Sequence, residues 1–136
     1  MSLRSSRFNE LFPVPQFQRF AAVEPTERMI ALSIRQPYIE LILRGEKTIE
    51  YRSLPTRRRG RIYLYASRIA ADDDGAWAQA GAARGELPVG MLLGTVEIVD
   101  CQGRRGDFHW HLARPERLAE PLAVSKKPQP MFFYPW

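Results

Sequence analysis

The chain has 136 residues, 45% of them hydrophobic and 26% charged, which suits one globular domain with its own core. No apolar run approaches the ~20 residues of a membrane span, no continuous apolar segment of a secretory signal is visible at the N-terminus, and the single cysteine, Cys101, excludes an intrachain disulfide. The formal net charge of +5 favours an anionic partner, and the cytoplasm is the expected compartment.

Residues 1–28 read as a tail. Pro13, Pro15 and Pro25 interrupt any helical period, yet Phe8, Leu11, Phe12, Phe17 and Phe20 carry more apolar weight than pure disorder needs. Docking on its own domain or on a protein partner are both open for this segment. The domain is expected over residues 29–136. "MIALSI" opens it as a short buried strand. Pro37 then suits a first helical turn, Tyr38, Leu41 and Ile42 recur at i, i+3, i+4, and Gly45 is a natural stop, so residues 37–44 read as a short helix. "KTIEYRS" alternates, with Ile49 and Tyr51 on one strand face and Thr48, Glu50 and Arg52 on the other. "SLPTRRRG" is a turn, and "RIYLYAS" is the next strand.

"ADDDGAWAQAGAAR" reads as a helix with a favourably charged start, and Asp72, Asp73 and Asp74 are better used for capping than for a metal. "VGMLLGTVEIVDC", residues 89–101, is the longest strand, with Gly94 marking a bulge or bend and Cys101 read as a small buried residue. In "DFHWHL", Phe108, Trp110 and Leu112 share one face. His109 and His111 share the other, without a third ligand at sensible spacing, so neither a metal nor a cofactor is expected. "ARPERLAEPLAV" reads as a turn of helix followed by an extended piece, and "KKPQPMFFYPW" as a closing aromatic strand. Short half-buried strands outnumber the helices. The class is therefore α+β, mainly β: a small antiparallel barrel flanked by two or three short helices.

The positive charge is concentrated. Between Arg44 and Arg68 eight Lys or Arg residues face only two acids, Glu46 and Glu50, while the rest of the chain is close to neutral. Such a field attracts phosphate backbones, although a solvated basic surface would look the same in sequence.

Four stretches in order resemble the ASCH domain, a branch of the PUA-like barrels. They are "LSIRQPYIELILRGEKTIEYRS", "RRRGRIYLYAS", "PVGMLLGTVEIVDC" and "FHWHLARPERLAEPLAVSKKPQPMFF". The first holds the family's Gly-x-Lys-x-x-Glu-x-Arg signature as Gly45, Lys47, Glu50 and Arg52, behind a Gln-Pro-aromatic helix start at Gln36 and Tyr38. The resemblance implies a PUA-like barrel with a cleft lined by these residues, and RNA or other nucleic-acid binding. Some small bacterial relatives deacetylate acetylated cytidine with a Thr nucleophile three residues after the signature Lys. Glu50 occupies that position here, so that acyl-transfer scheme does not carry over.

Chemically, Glu50 and Arg52 stand two apart on one strand face and form either a structural ion pair or a base-reading pair, the carboxylate accepting from an exocyclic amine and the guanidinium donating. Lys47 adds a donor and favours the ionised carboxylate. Glu50 thus either selects donors on a ligand or holds the cations in place. Arg57, Arg58, Arg59 and Arg61 offer forks for phosphate. Tyr38, Tyr63 and Tyr65, with Ser67 beside them, are candidates for base stacking, with core packing as the alternative. The expected function is a monomeric module binding single-stranded RNA or a small nucleoside. The alternative is a metal-independent hydrolase of modified nucleosides or RNA, with Lys47 and Glu50 as its catalytic pair.

Overall fold

The computed structural model describes residues 28–136, so the aromatic and proline positions singled out in the tail lie outside the described residues, apart from Arg28 at its end. Within the described residues six strands and two helices follow in the order β1 (Ala31–Ile34), α1 (Tyr38–Leu43), β2 (Ile49–Arg52), β3 (Gly60–Ala66), α2 (Asp74–Ala80), β4 (Leu92–Arg104), β5 (Asp107–Leu122) and β6 (Phe132–Phe133). The strands form one sheet ordered β2-β5-β4-β3-β1-β6, antiparallel throughout except for the parallel pair β1 and β3.

Strand β3 explains how this sheet is buried on both sides. Ile62, Leu64 and Ala66 enter one cluster with Leu32, Ile34, Val96 and Trp110. Tyr63 and Tyr65, on the opposite face, enter a second with Leu92, Leu118 and Phe133. Alternation by two thus feeds two apolar layers. The curled sheet brings its ends together through side chains, without a β2–β6 ladder. Arg52 of β2 donates from Nη2 to the Ser33 carbonyl of β1 at 2.8 Å. Trp110 of β5 stacks on Phe132 of β6 with ring centroids 5.7 Å apart and donates from Nε1 to the Leu54 carbonyl.

Both helices stop where the sequence places glycine. The Gly45 N–H donates to the Ile42 carbonyl at 2.9 Å with φ of 81°, and Gly81 closes α2 in the left-handed region. Asp73 caps α2, its Oδ1 accepting from the Ala76 N–H at 3.0 Å.

Two local expectations change. Residues 113–122, read as a turn of helix and an extended piece, continue β5. Pairing with β4 shifts register between Leu92 and Gly94, Thr95 and Glu97, and Ile98 and Asp100, and Arg114 has φ of 52°. Prolines are tolerated along such an irregular ladder, and Leu118 anchors the strand in the second core. Gly94 is where α1 and β5 crowd the sheet: a Cβ there would stand 2.5 Å from Leu43 Cδ2 and 2.6 Å from the Glu116 carbonyl. Cys101 is half-buried at the edge of the core, not fully enclosed.

Candidate functional site

Strand β2 turns its acid inward. Glu50 is 6% exposed, whereas Tyr51 beside it is 60% exposed. Oε2 of Glu50 accepts from Arg52 Nε at 2.7 Å, and Oε1 faces Lys47 Nζ at 3.6 Å. Each carboxylate oxygen therefore has a cation, and Arg52 is fixed further by its bond to the Ser33 carbonyl. Burial raises the cost of breaking this group, because a charge without its partner is poorly solvated there.

Lys47 links this buried group to the surface. After Gly45 the chain folds back on α1, and the Glu46 and Lys47 N–H groups both donate to the Leu41 carbonyl. The Lys47 ammonium then lies 5.1 Å from the ring centres of both Tyr38 and Tyr51, and donates to the Ile49 carbonyl at 2.6 Å. These three side chains line a cleft of about 360 Å³, with Asp73 and Gln79 across it and Leu41, Ile49 and Ala76 supplying apolar surface. The volume lies within the ~300–1,000 Å³ typical of small-ligand sites.

Tyr38 is pinned: its hydroxyl donates to Asp73 Oδ2 at 2.7 Å. Burial first, then the bond and charge of Asp73, push the Tyr38 pKa up to about 12. The same bond leads the causes holding Asp73 below the ordinary carboxylate value. Asp73 so serves twice, as helix cap and as anchor of the cleft wall.

The other candidates disperse. Gln36 is fully buried, its Nε2 donating to the Pro88 carbonyl and its Oε1 accepting from the Glu40 N–H. Arg61 is held by Thr95 and Glu97, and Arg59 lies 3.8 Å from Asp100. Arg58 rests over Phe132 at 5.2 Å, and Arg52 over Trp110 at 5.5 Å, so the arginine turn joins the signature residues through the Trp110–Phe132 stack. Arg57 is exposed. Tyr63 and Tyr65 are 0% and 2% exposed, which leaves little ring face for a base. Tyr65 and Ser67 instead reach a second cleft with Arg35, Arg68 and Lys127. Tyr51, Asp73 and Gln79 were missing from the sequence-based set. Alternation marked Tyr51 for the face opposite Glu50, whereas nothing local ties Asp73 or Gln79 to Lys47. Among the described residues no group of three or more His, Cys, Asp or Glu is placed to hold a metal ion, and no helix is long and apolar enough to cross a membrane.

A curled, mainly β sheet with two short helices and a lysine cleft behind the Gly-x-Lys-x-x-Glu-x-Arg segment defines the class. The chain belongs to the ASCH domain family, whose model matches residues 32–127. It is 33% identical over 84 residues to activating signal cointegrator 1 of Homo sapiens and of Mus musculus. That match covers 54% of this chain but only 14% of each relative's length. In fold it is similar to the crystal structure of ASCH from Zymomonas mobilis, with a TM-score of 0.55 and 14% identity, covering 79% of this chain and 87% of that one. A tyrosine-to-phenylalanine mutant of the Zymomonas mobilis protein matches with a TM-score of 0.54 and 13% identity, over 79% of this chain and 89% of that chain.

Proposed function

We propose that the chain is a single-stranded RNA-binding module that takes an unpaired base or a modified nucleoside into the Lys47 cleft. The observation that carries this reading is the Lys47 ammonium set between Tyr38 and the exposed ring of Tyr51 at the mouth of a nucleobase-scale cleft. Lys47 retains donor capacity for a base carbonyl beyond its bond to Ile49. Tyr51 offers a stacking face, and Asp73 can accept from an exocyclic amine. Glu50 acts from behind, holding Lys47 and Arg52 in position. Arg57 and Arg58 are the cations of the turn best placed for phosphate, since Arg59 and Arg61 face acids.

Fluorescence anisotropy with labelled single-stranded RNA tests the reading. Binding should weaken steeply with salt, and Tyr51→Ala should lose about 1–3 kcal/mol if one base stacks there. Salt-independent binding, or no binding, would overturn it. The hydrolytic alternative rests on the Lys47–Glu50 contact at 3.6 Å. It requires product from acylated cytidine or labelled RNA, with turnover abolished in Glu50→Gln. Such a base would also need a carboxylate oxygen released from its present cation.

A further inference from the structure

Half of the arginines among the described residues face an acid. Arg44 and Arg117 share Glu40, Arg61 and Arg114 share Glu97, Arg84 meets Asp72, and Arg59 meets Asp100. The second cleft, of about 450 Å³, departs from that pattern: Arg35, Arg68 and Lys127 line it together, and no acid does among the described residues.

The topology explains the gathering. Strands β1 and β3 are the parallel pair, so their C-terminal ends open on the same side of the sheet. Arg35 follows the last residue of β1, and Ser67 and Arg68 follow the last residues of β3. Lys127 arrives from the segment before β6, which is tied to β1 by the Ser33 hydroxyl donating to the Gln129 carbonyl at 2.7 Å. The Arg68 guanidinium lies against Gly90, where a Cβ would come within 2.9 Å of its Cζ. Tyr65 and the 63% exposed Ile69 give the cleft an apolar side.

We propose that this cleft binds a phosphate group of a nucleotide, with Arg35, Arg68 and Lys127 as its cations and the exposed Ile69 side chain against the sugar. The nucleotide character of the ligand rests on the reading of the Lys47 cleft, whereas the phosphate site itself rests only on this cluster. The two clefts flank one turn, in which the Tyr38 N–H donates to the Arg35 carbonyl at 3.0 Å. On this proposal a base in the first cleft and a phosphate in the second belong to one strand. The phosphate is either an internal phosphodiester or a terminal monoester.

Amide chemical shifts of the full chain decide this. Inorganic phosphate, compared with chloride at equal ionic strength, should move the signals of residues 33–35, 67–69 and 127–129. Arg68→Gln with Lys127→Gln, both at exposed positions, should weaken binding of a nucleoside 5′-monophosphate about tenfold. The same variant should leave binding of the unphosphorylated nucleoside at Lys47 unchanged. Shifts confined to the Arg57–Arg61 turn, shifts equalled by chloride, or an unaffected double variant would overturn the site. If the nucleoside fails to perturb the Lys47 cleft while phosphate still moves the second, the base reading falls and the phosphate site stands. RNA carrying a 5′-hydroxyl that binds as tightly as its 5′-phosphorylated form identifies an internal phosphodiester. A tenfold preference for the latter identifies the terminal monoester.

Discussion

Glu50→Gln tests the physical centre of the site. The substitution keeps the side chain's shape and an acceptor for Arg52 but removes the one negative charge between Lys47 and Arg52. Their side chains are only 16% and 19% exposed, so water compensates poorly. Two unit charges about 4 Å apart interact by about 4 kcal/mol at an effective dielectric near 20. Glu50 lies within 4 Å of both cations, one of them in a charge-assisted hydrogen bond of 2.7 Å. Breaking a buried pair by removing one partner costs about 3–5 kcal/mol, and the retained amide places this variant near the lower end. For a domain of this size, ~3 kcal/mol is roughly 10 °C in Tm. Thermal unfolding followed by circular dichroism measures it. RNA affinity should fall in the same variant, because Lys47 loses the group opposite it. A loss below about 1 kcal/mol, the value of an exposed ion pair, would show that the carboxylate does not organise the cations.

Two further outcomes follow from local geometry. Gly94→Ala should destabilise the fold by about 1–3 kcal/mol in urea unfolding, because the new methyl meets both Leu43 and the Glu116 backbone. An unchanged midpoint would show that α1 does not press on the β4 bulge. Absorbance titration should find Tyr38 keeping its proton to about 12, above its ordinary value of 10.0. Because the folded value is the higher one, its contribution to stability is complete below pH 10 and is lost as pH rises towards 12. Asp73→Asn should return the Tyr38 titration towards its ordinary value.

Much of the fold was legible because alternation and helix stops are local signals. Gly45 ends the first helix, and the inward face of "DFHWHL" is the one carrying Trp110. The strand through Pro115 and Pro121 was not, since Leu118 needs a second core layer whose other members lie far away in sequence. The site divides in the same way. Lys47, Glu50 and Arg52 were visible as a cluster because one turn and one strand carry all three. Which way β2 faces was not, because an ion pair facing inward reads in sequence like a polar outer face. Arg68 was visible only as the end of the basic stretch, and nothing local ties it to Arg35 and Lys127: a parallel pairing and the segment before β6 bring them together.

That division bears on what the positive charge is for. Counting basic residues assigns the whole stretch from Arg44 to Arg68 to an anionic partner, but most of those charges already face acids. Glu50 takes Lys47 and Arg52, Glu97 takes Arg61, and Asp100 takes Arg59. An arginine held by a carboxylate must give up that pair before it gains a phosphate, which lowers its net contribution to binding, more for the half-buried Arg61 than for Arg59, whose pair is exposed. Arg57 and Arg58 in the turn, and Arg35, Arg68 and Lys127 in the second cleft, carry no such penalty. The salt dependence of RNA binding should therefore follow these five residues. Neutralising Arg59 and Arg61 should alter stability more than the salt slope, whereas neutralising Arg68 and Lys127 should lower a single-strand slope by about 0.7 per charge. Equal slopes for the two pairs of substitutions would mean that acid pairing does not decide which cations the ligand meets.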